Sequence, residues 1–413
     1  MPEFLKLHPP DQALRIFLEA VPIRDIPDEW MDTRQAAGKV TAESIYAPES
    51  LPAFTRSTVD GYAVTARDTF GASESLPAYL NIIGEIPMGV EPVFLIHAGE
   101  AAVIHTGGML PENADAVVML EHTQTLAQNQ IEVFRPAAPG ENVLLFGEDV
   151  HIGDEIISAG SRLKPSDLGG LLALGLLKVK TIIPPLVGII SSGDEIVPPS
   201  AVLKPGQIRD INSFTLAALI QQNGGEPIQY GIIPDKVKEL SRAVSIALKE
   251  CDIIIITAGS SASARDFTAE VINQMGNPGV IVHGVNVRPG KPTILAVCGQ
   301  IPVIGLPGNP VSALVIAQRF ILPLLNKFLK ISHKSWHSTV LATLSTNLPS
   351  QTGREDWFPV HLNLVNERLI AVPIFFKSNL IFNLSRADGL ICITTDANGL
   401  AAGTLVDVHI LSL

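Results

Sequence analysis

The sequence predicts a multidomain α/β plus all-β chain, with a central, mainly parallel sheet domain set between strand-rich regions. Three observations predict it. Apolar strands alternate with helices from Pro184 to about Leu325. Short runs rich in Val, Ile, Pro and Gly fill Tyr46 to about Pro139, and short strands return after Trp336. The chain has 413 residues, more than one hydrophobic core usually serves.

Residues His8 to Ala36 carry apolar residues at helical spacing and predict opening helices, with Asp11 as N-cap. The next stretch predicts strands at Tyr79–Glu85, Ala101–His105, Ala116–Leu120 and Ile131–Phe134. Helical spacing returns over Leu168–Leu177. Helical segments therefore flank the β module, which reads as an insertion (46–139) into an elongated helical N-terminal domain (1–45 and 140–183). The α/β domain (184–332) has predicted strands at Leu186–Ser191, Ile228–Ile233, Asp252–Thr257, Val280–Val287, Thr293–Val297 and Ile301–Gly305. Its predicted helices are Asn212–Gln222, Lys236–Lys249, Arg265–Met275 and Val311–Leu325, which would cover both faces of the sheet. The last domain (333–413) reads as all-β and barrel-like.

A net charge of -12 argues against non-specific binding to nucleic acid or an anionic membrane. Only 17% of residues are charged while 46% are hydrophobic, so large buried surfaces are expected, a subunit interface among them. Cys251, Cys298 and Cys392 are far apart beside apolar runs and form neither a disulfide framework nor a zinc spacing. His105 and His122 have no ligand spacing and read as structural or surface residues. The chain begins Met1-Pro2-Glu3-Phe4, without leader character, and no segment reads as a bilayer span, so the cytoplasm is the expected compartment.

The richest motif is Gly305-Leu306-Pro307-Gly308-Asn309-Pro310-Val311-Ser312-Ala313, between a buried strand and a helix. Asn309 reads as N-cap and Pro310 as the first helical residue, leaving first-turn N–H groups for an oxyanion. Ligands of open α/β sheets bind outside the carboxyl ends of the strands. Three more loops follow predicted strands there: Ser192-Gly193-Asp194-Glu195, the Ala258–Ser263 loop with Ser260 and Ser261 leading to Asp266, and Arg288-Pro289-Gly290-Lys291-Pro292. Small residues let backbone approach a ligand, Ser hydroxyls and Arg288 or Lys291 suit phosphate, and Asp194, Glu195 and Asp266 suit a hydrated Mg²⁺. Any one of these loops could be an ordinary turn. Four on one sheet edge favour a site. Asp60-Gly61 reads as a tight turn, and in the last domain Arg354, Lys377 and Arg386 are candidate anion partners.

These motifs, with Asp60-Gly61-Tyr62-Ala63, Thr106-Gly107, Gly147-Glu148-Asp149 and Arg386-Ala387-Asp388-Gly389, occur in the order of the molybdopterin molybdenumtransferase family, which includes relatives of the gephyrin E domain. The chain resembles that family from about Leu14 to Val408. The resemblance implies a MogA-like α/β domain and an elongated homodimer with a cleft shared between subunits. It implies adenylylated molybdopterin and molybdate as substrates, AMP and molybdenum cofactor as products, and Mg²⁺ as helper. The adenylyltransferase that makes the substrate and the apoenzymes that take the cofactor would be further partners. On that basis Asp60, Asp149, Glu195, Asp235, Asp266 and Lys291 are the expected catalytic residues, with Glu195 and Asp266 on the metal. Thr106, Ser260, Ser261, Arg288, Pro307, Gly308, Asn309, Pro310, Ser312, Arg354, Lys377 and Ser378 are the expected substrate-binding residues. A non-catalytic gephyrin-like scaffold and a tungstate-inserting paralogue are the alternatives. An adenylyltransferase would match the sheet domain alone.

Overall fold

A computed structural model describes residues 7–22, 26–127, 129–258, 262–331, 339–375 and 377–411, with no side-chain description for Ala127 and residues 262–266. The chain folds as two compact units, one of Met1–Ala42, Ala159–Lys164 and Val179–Leu413, the other of Glu43–Ser158 and Pro165–Lys178.

The first unit is built on a six-stranded sheet in the order Glu226–Ile233, Leu186–Ser192, Ile253–Ala258, Ile301–Pro307, Ile294–Cys298, Pro278–His283. The first four strands are parallel; Ile294–Cys298 runs against them, and Pro278–His283, antiparallel to it, returns to their direction. Every residue of Ile253–Ala258 is buried, which explains its unbroken apolar run: helices cover both faces of the sheet. On one face Leu216 and Ile220 of Asn212–Gln222 pack with Val311 and Phe320. On the other, Leu240, Val244 and Ala247 form the apolar stripe of Val237–Glu250 and meet Val271 and Ile272 of Ala262–Met275.

The opening segment differs from the expectation of helices to Ala36. One helix, Pro10–Ala20, is followed by the strand Asp28–Asp32 and a 3-10 turn at Thr33–Gln35. Pro22 and Pro27 are the physical reason, since neither can donate to a helical ladder and each disfavours helix in the residue before it. Pro9 rather than Asp11 is the N-cap; Asp11 sits in the first turn and pairs with Arg319. Ala13 and Phe17, four apart, enter the core of the α/β sheet together with Val21. At the helix end Lys327 Nζ donates to the carbonyls of Leu18 and Val21, satisfying acceptors the helix leaves open.

The last α/β helix runs Pro310–Ile316, widens to a π turn at Ala317–Ile321 and resumes over Leu322–Phe328. Pro323 has no N–H for the carbonyl of Arg319, so the ladder slips there. By length and apolarity this 19-residue run could cross a membrane, contrary to the sequence expectation, yet 67% of its most apolar stretch is buried inside the unit. It is a core helix.

The expected strand Val280–Val287 breaks at Gly284, where φ is 103°. Val287–Arg288 leaves the sheet and pairs in parallel with Glu355–Asp356 of the C-terminal region. There Glu355–Val365, Arg368–Pro373, Thr339–Leu344, Leu405–Ile410 and Gly389–Ile393 follow one another, and the last pairs back with the first to close a barrel. Leu344, Val360, Ile391 and Val408 fill it.

The second unit carries a six-stranded sheet in the order Ala116–Met119, Gly61–Val64, Glu100–Ile104, Ala78–Ile86, Gln130–Val133, Thr123–Ala127. Strand alternation sends Tyr62 and Val64 to one apolar cluster and Ala63 to another, so all of Gly61–Val64 is buried. Gly61 cannot be replaced freely, because a Cβ there would lie 2.0 Å from the carbonyl oxygen of Val118. The helix expected over Leu168–Leu177 occupies Pro165–Ala173 and stops before Gly175, whose φ of 69° suits a helix terminus.

Candidate active site

The carboxyl ends of the parallel strands gather most of the α/β residues read from the sequence. A cavity of about 920 Å³ opens there, lined by Arg288, Lys291, Ser312, Arg354, Lys377 and Ser378 among others. Its walls come from the α/β sheet and the barrel, joined by the Val287–Arg288 pairing. Gly290 lets the Arg288–Pro292 loop approach the last helix: its φ is 133°, and a Cβ would lie 2.4 Å from Ile316 Cδ1. The Thr293 hydroxyl donates to the Gly290 carbonyl at 2.7 Å, and the Val285 N–H to the Lys291 carbonyl at 2.9 Å. The loop is thus braced while the side chains of Arg288 and Lys291 stay exposed.

The Pro307–Pro310 turn is held from two sides. Asn212, buried in the first turn of its helix, donates from Nδ2 to the Gly308 carbonyl at 2.8 Å. Across the cavity Asn309 Nδ2 donates to Ser378 Oγ at 3.0 Å, and the Val311 N–H to the Ser378 carbonyl at 3.1 Å. Asn309 is the N-cap and Pro310 the first helical residue, as expected, but the Asn309 side chain makes no capping bond to its own helix. Contrary to the sequence expectation of open first-turn donors, the Val311 N–H is already occupied. Ser312, also in that turn, is buried and lines the cavity.

Arg354 was expected to meet an anion. It is forked onto the buried carboxylate of Asp356, Nε to Oδ1 at 2.7 Å and Nη2 to Oδ2 at 2.8 Å, with Ser350 Oγ also donating to Oδ2 at 2.9 Å. Its charge is therefore matched within the wall, and the exposed cations of this cavity are Arg288, Lys291 and Lys377.

At the neighbouring strand ends Ser192 Oγ donates to Asp235 Oδ1 at 2.7 Å, and the Asp235 N–H to Asp194 Oδ1 at 3.2 Å. Glu195 follows in the same turn, anchored by the Ile208 N–H on its carbonyl at 2.9 Å. Ser260 and Ser261 and the side chain of Asp266 lie outside the described residues. Among the described residues no group of three or more His, Cys, Asp or Glu is gathered as a metal cage. The donors present are hard carboxylate and hydroxyl oxygens, which fit a Mg²⁺ that takes one or two carboxylates and completes its shell with phosphates and water.

In the second unit Asp60 accepts from the Thr106 N–H at 2.7 Å and the Thr106 hydroxyl at 3.1 Å. The backbone bond, then the hydroxyl, holds this carboxyl below the usual carboxylate range. The Thr106-Gly107-Gly108 turn is itself tied to Ser57, whose carbonyl accepts the Gly107 N–H at 2.8 Å. Asp149 lies in a separate groove of about 680 Å³ with Phe54 and Arg56.

Sequence reasoning missed three positioning groups. Asp210 is a buried carboxylate that accepts from Ser191 Oγ at 2.8 Å and Ser213 Oγ at 2.7 Å. Its signal was a capping residue three before Ser213, whose N–H it also accepts at 3.2 Å. Asn212 gave no local signal, because its partner Gly308 lies 96 residues away, and Asp356 sits only two positions after Arg354, where the alternation of a strand gives no sign that the two side chains meet. Burial pushes the Cys298 thiol up to about 11 and raises Cys251 as well, which disfavours their thiolate forms.

Fold and cavity together define a multidomain protein whose α/β unit presents cationic, phosphate-suited loops at the carboxyl edge of its sheet. Family models agree along the chain: "MoeA N-terminal region (domain I and II)" matches residues 8–175, "Probable molybdopterin binding domain" residues 188–327 and "MoeA C-terminal region (domain IV)" residues 342–411. The molybdopterin molybdenumtransferase of Haemophilus influenzae is 32% identical over 97% of each chain, and molybdopterin molybdenumtransferase 2 of Mycobacterium tuberculosis is 32% identical over 91% of this chain and 93% of its own. A crystal structure of a molybdopterin biosynthesis MoeA protein from Pyrococcus horikoshii is 38% identical with a TM-score of 0.80, covering 98% of this chain and all of that one. The chain belongs to the molybdopterin molybdenumtransferase family.

Proposed function

We propose that this protein inserts molybdate into adenylylated molybdopterin, with release of AMP and formation of molybdenum cofactor, and that Mg²⁺ assists. The observation that carries the reading is the cavity with exposed Arg288, Lys291 and Lys377, since the substrates are a tetrahedral dianion and a phosphate-bearing pterin. The sulfurs that receive the metal belong to the substrate, so the protein need supply no thiolate. Lys291 and Lys377 neutralise the substrate's phosphates as mobile point charges; Arg288 offers a planar fork. Arg354, braced by Asp356, adds a fixed edge of the wall rather than free charge. The Pro307–Asn309 turn, held by Asn212 and Ser378, and Ser312 position the pterin side.

Glu195 and Asp266 would hold Mg²⁺, with Asp235 kept nearby by Ser192. When bound, the ion supplies charge neutralisation at the phosphates during departure of AMP. Asp60 and Thr106 form the contribution of the β module and Asp149 that of the segment following it, and a homodimer with a shared cleft is the arrangement in which they serve the reaction. Incubating the protein with adenylylated molybdopterin and Mg²⁺, with molybdate or tungstate in turn, tests the reading. AMP release coupled to cofactor formation is expected. Binding without turnover in both arms would favour the scaffold alternative.

A further inference from the structure

His105, read from the sequence as a structural or surface residue, stands between two carboxylates. Its Nε2 lies 2.9 Å from Glu85 Oε1, and its Nδ1 4.0 Å from Asp60 Oδ1. Glu85 comes from the strand Ala78–Ile86, Asp60 from the turn before Gly61–Val64, and His105 follows Glu100–Ile104, which lies between those strands in the sheet. Sheet register fixes this meeting, because Ile104 pairs with Gly61 on one side and Glu85 pairs with Val103 on the other. The charged groups seen against the ring are these two carboxylates.

We propose that His105 is a positioning residue for Asp60: clamped at Nε2 by Glu85, it turns Nδ1 toward the Asp60 carboxylate and, as imidazolium, balances the charge of the Asp60–Thr106 corner toward an anionic substrate. The inference rests on the reaction proposed above. With Glu85 accepting at Nε2, the neutral ring keeps its proton there and faces Asp60 with a lone pair. Protonation converts that lone pair to a donor. Thr106 occupies Oδ1 with two hydrogen bonds, which stabilise the ionised carboxylate but leave its charge in place. A dianion approaching this corner meets weaker repulsion when the ring is charged, because Asp60, Glu85 and His105 then carry a net single negative charge instead of two. All three side chains are more than one-third exposed, so solvent keeps the effect modest.

The test uses the full-length protein in two readouts. In steady-state assays, KM for molybdate should rise as pH climbs through the imidazole range, by about two- to fivefold as suits an exposed charge pair. His105→Gln should hold the high value at every pH with kcat nearly unchanged, and His105→Lys should hold the low value. Carboxyl-carbon NMR gives the second readout without turnover: beyond the two Thr106 bonds, the His105 ring also holds the Asp60 carboxyl down, so His105→Gln should raise it part of the way toward its ordinary value. An Asp60 carboxyl that does not move, or a wild-type KM profile, in His105→Gln overturns the proposal. Equal loss in His105→Lys and His105→Gln overturns it also, since a merely structural ring would behave so. Absence of AMP release in the wild type would instead refute the assigned reaction, and the NMR arm would still decide the coupling.

Discussion

Asp356→Asn tests whether the Arg354 fork is a structural brace. The Asp356 side chain is 1% exposed and that of Arg354 22%, and the two contacts of 2.7 and 2.8 Å have parallel geometry. Breaking a buried pair by removing one partner costs ~3–5 kcal/mol, because the other charge is left uncompensated. Arg354 keeps some access to water and Gln351 Oε1 at 3.2 Å, and asparagine can still accept one bond, so ~2–3 kcal/mol is the expected loss. Arg354→Met should cost more, ~3–5 kcal/mol, since it strands a buried carboxylate with Ser350 as its remaining donor here. The pair Arg354→Met with Asp356→Leu should be less damaging than the sum, with a positive coupling of ~1–3 kcal/mol. Hydrogen exchange along Glu355–Val365 reads local stability without assuming that the whole chain unfolds in one step. A loss below ~0.5 kcal/mol in Asp356→Asn would refute the brace and return Arg354 to the free cations of the cavity.

Lys291→Ala should weaken binding of a phosphate-bearing pterin by about tenfold while leaving thermal stability within ~0.5 kcal/mol, since the exposed side chain contributes charge rather than packing; calorimetric titration and a melting curve check both halves. Glu195→Gln should lower Mg²⁺-dependent AMP release by at least about tenfold with stability unchanged or improved, as for a site that trades stability for function. Thr106→Val removes the weaker of the two hydrogen bonds on Asp60, so the Asp60 carboxyl should rise part of the way to its ordinary value, read by carboxyl NMR. The sign follows from its depressed folded value: its contribution to stability is present above the unfolded pKa and lost as pH falls through the folded one, so in the variant the contribution is smaller and its loss is complete at higher pH.

Much of the fold was legible because burial on both faces writes itself into composition. Ile253–Ala258 and Ile301–Pro307 are unbroken apolar runs, and Val237–Glu250 shows one apolar stripe, so period and content agree with position. The misreadings fall where non-local pairing decides. Val287–Arg288 continues an apolar run but belongs to a different sheet, and only its pairing with Glu355–Asp356 shows that. In the opening segment apolar residues keep a helical spacing past Pro22 and Pro27, but the helix stops at Ala20 ahead of them.

The site divides along the same line. Residue types that a ligand touches from a loop are legible when several such loops fall at one sheet edge, although each alone could be an ordinary turn; Arg288, Lys291 and the Pro307–Asn309 turn all meet one cavity. What holds those residues still is not legible. Asn212 reaches Gly308 and Ser378 reaches Val311 across 96 and 67 positions of sequence, and no local pattern encodes either bond. The consequence for the chemistry is a division of labour: the cations are free to follow a substrate, whereas the turn and the Arg354 edge are fixed before it arrives. Such a site spends little ordering entropy in its rigid half and keeps its adaptable charge for ligands of differing anion geometry. Loosening the turn through Asn212 should therefore disturb placement of the pterin without abolishing attraction for its phosphates, the opposite of what Lys291→Ala does.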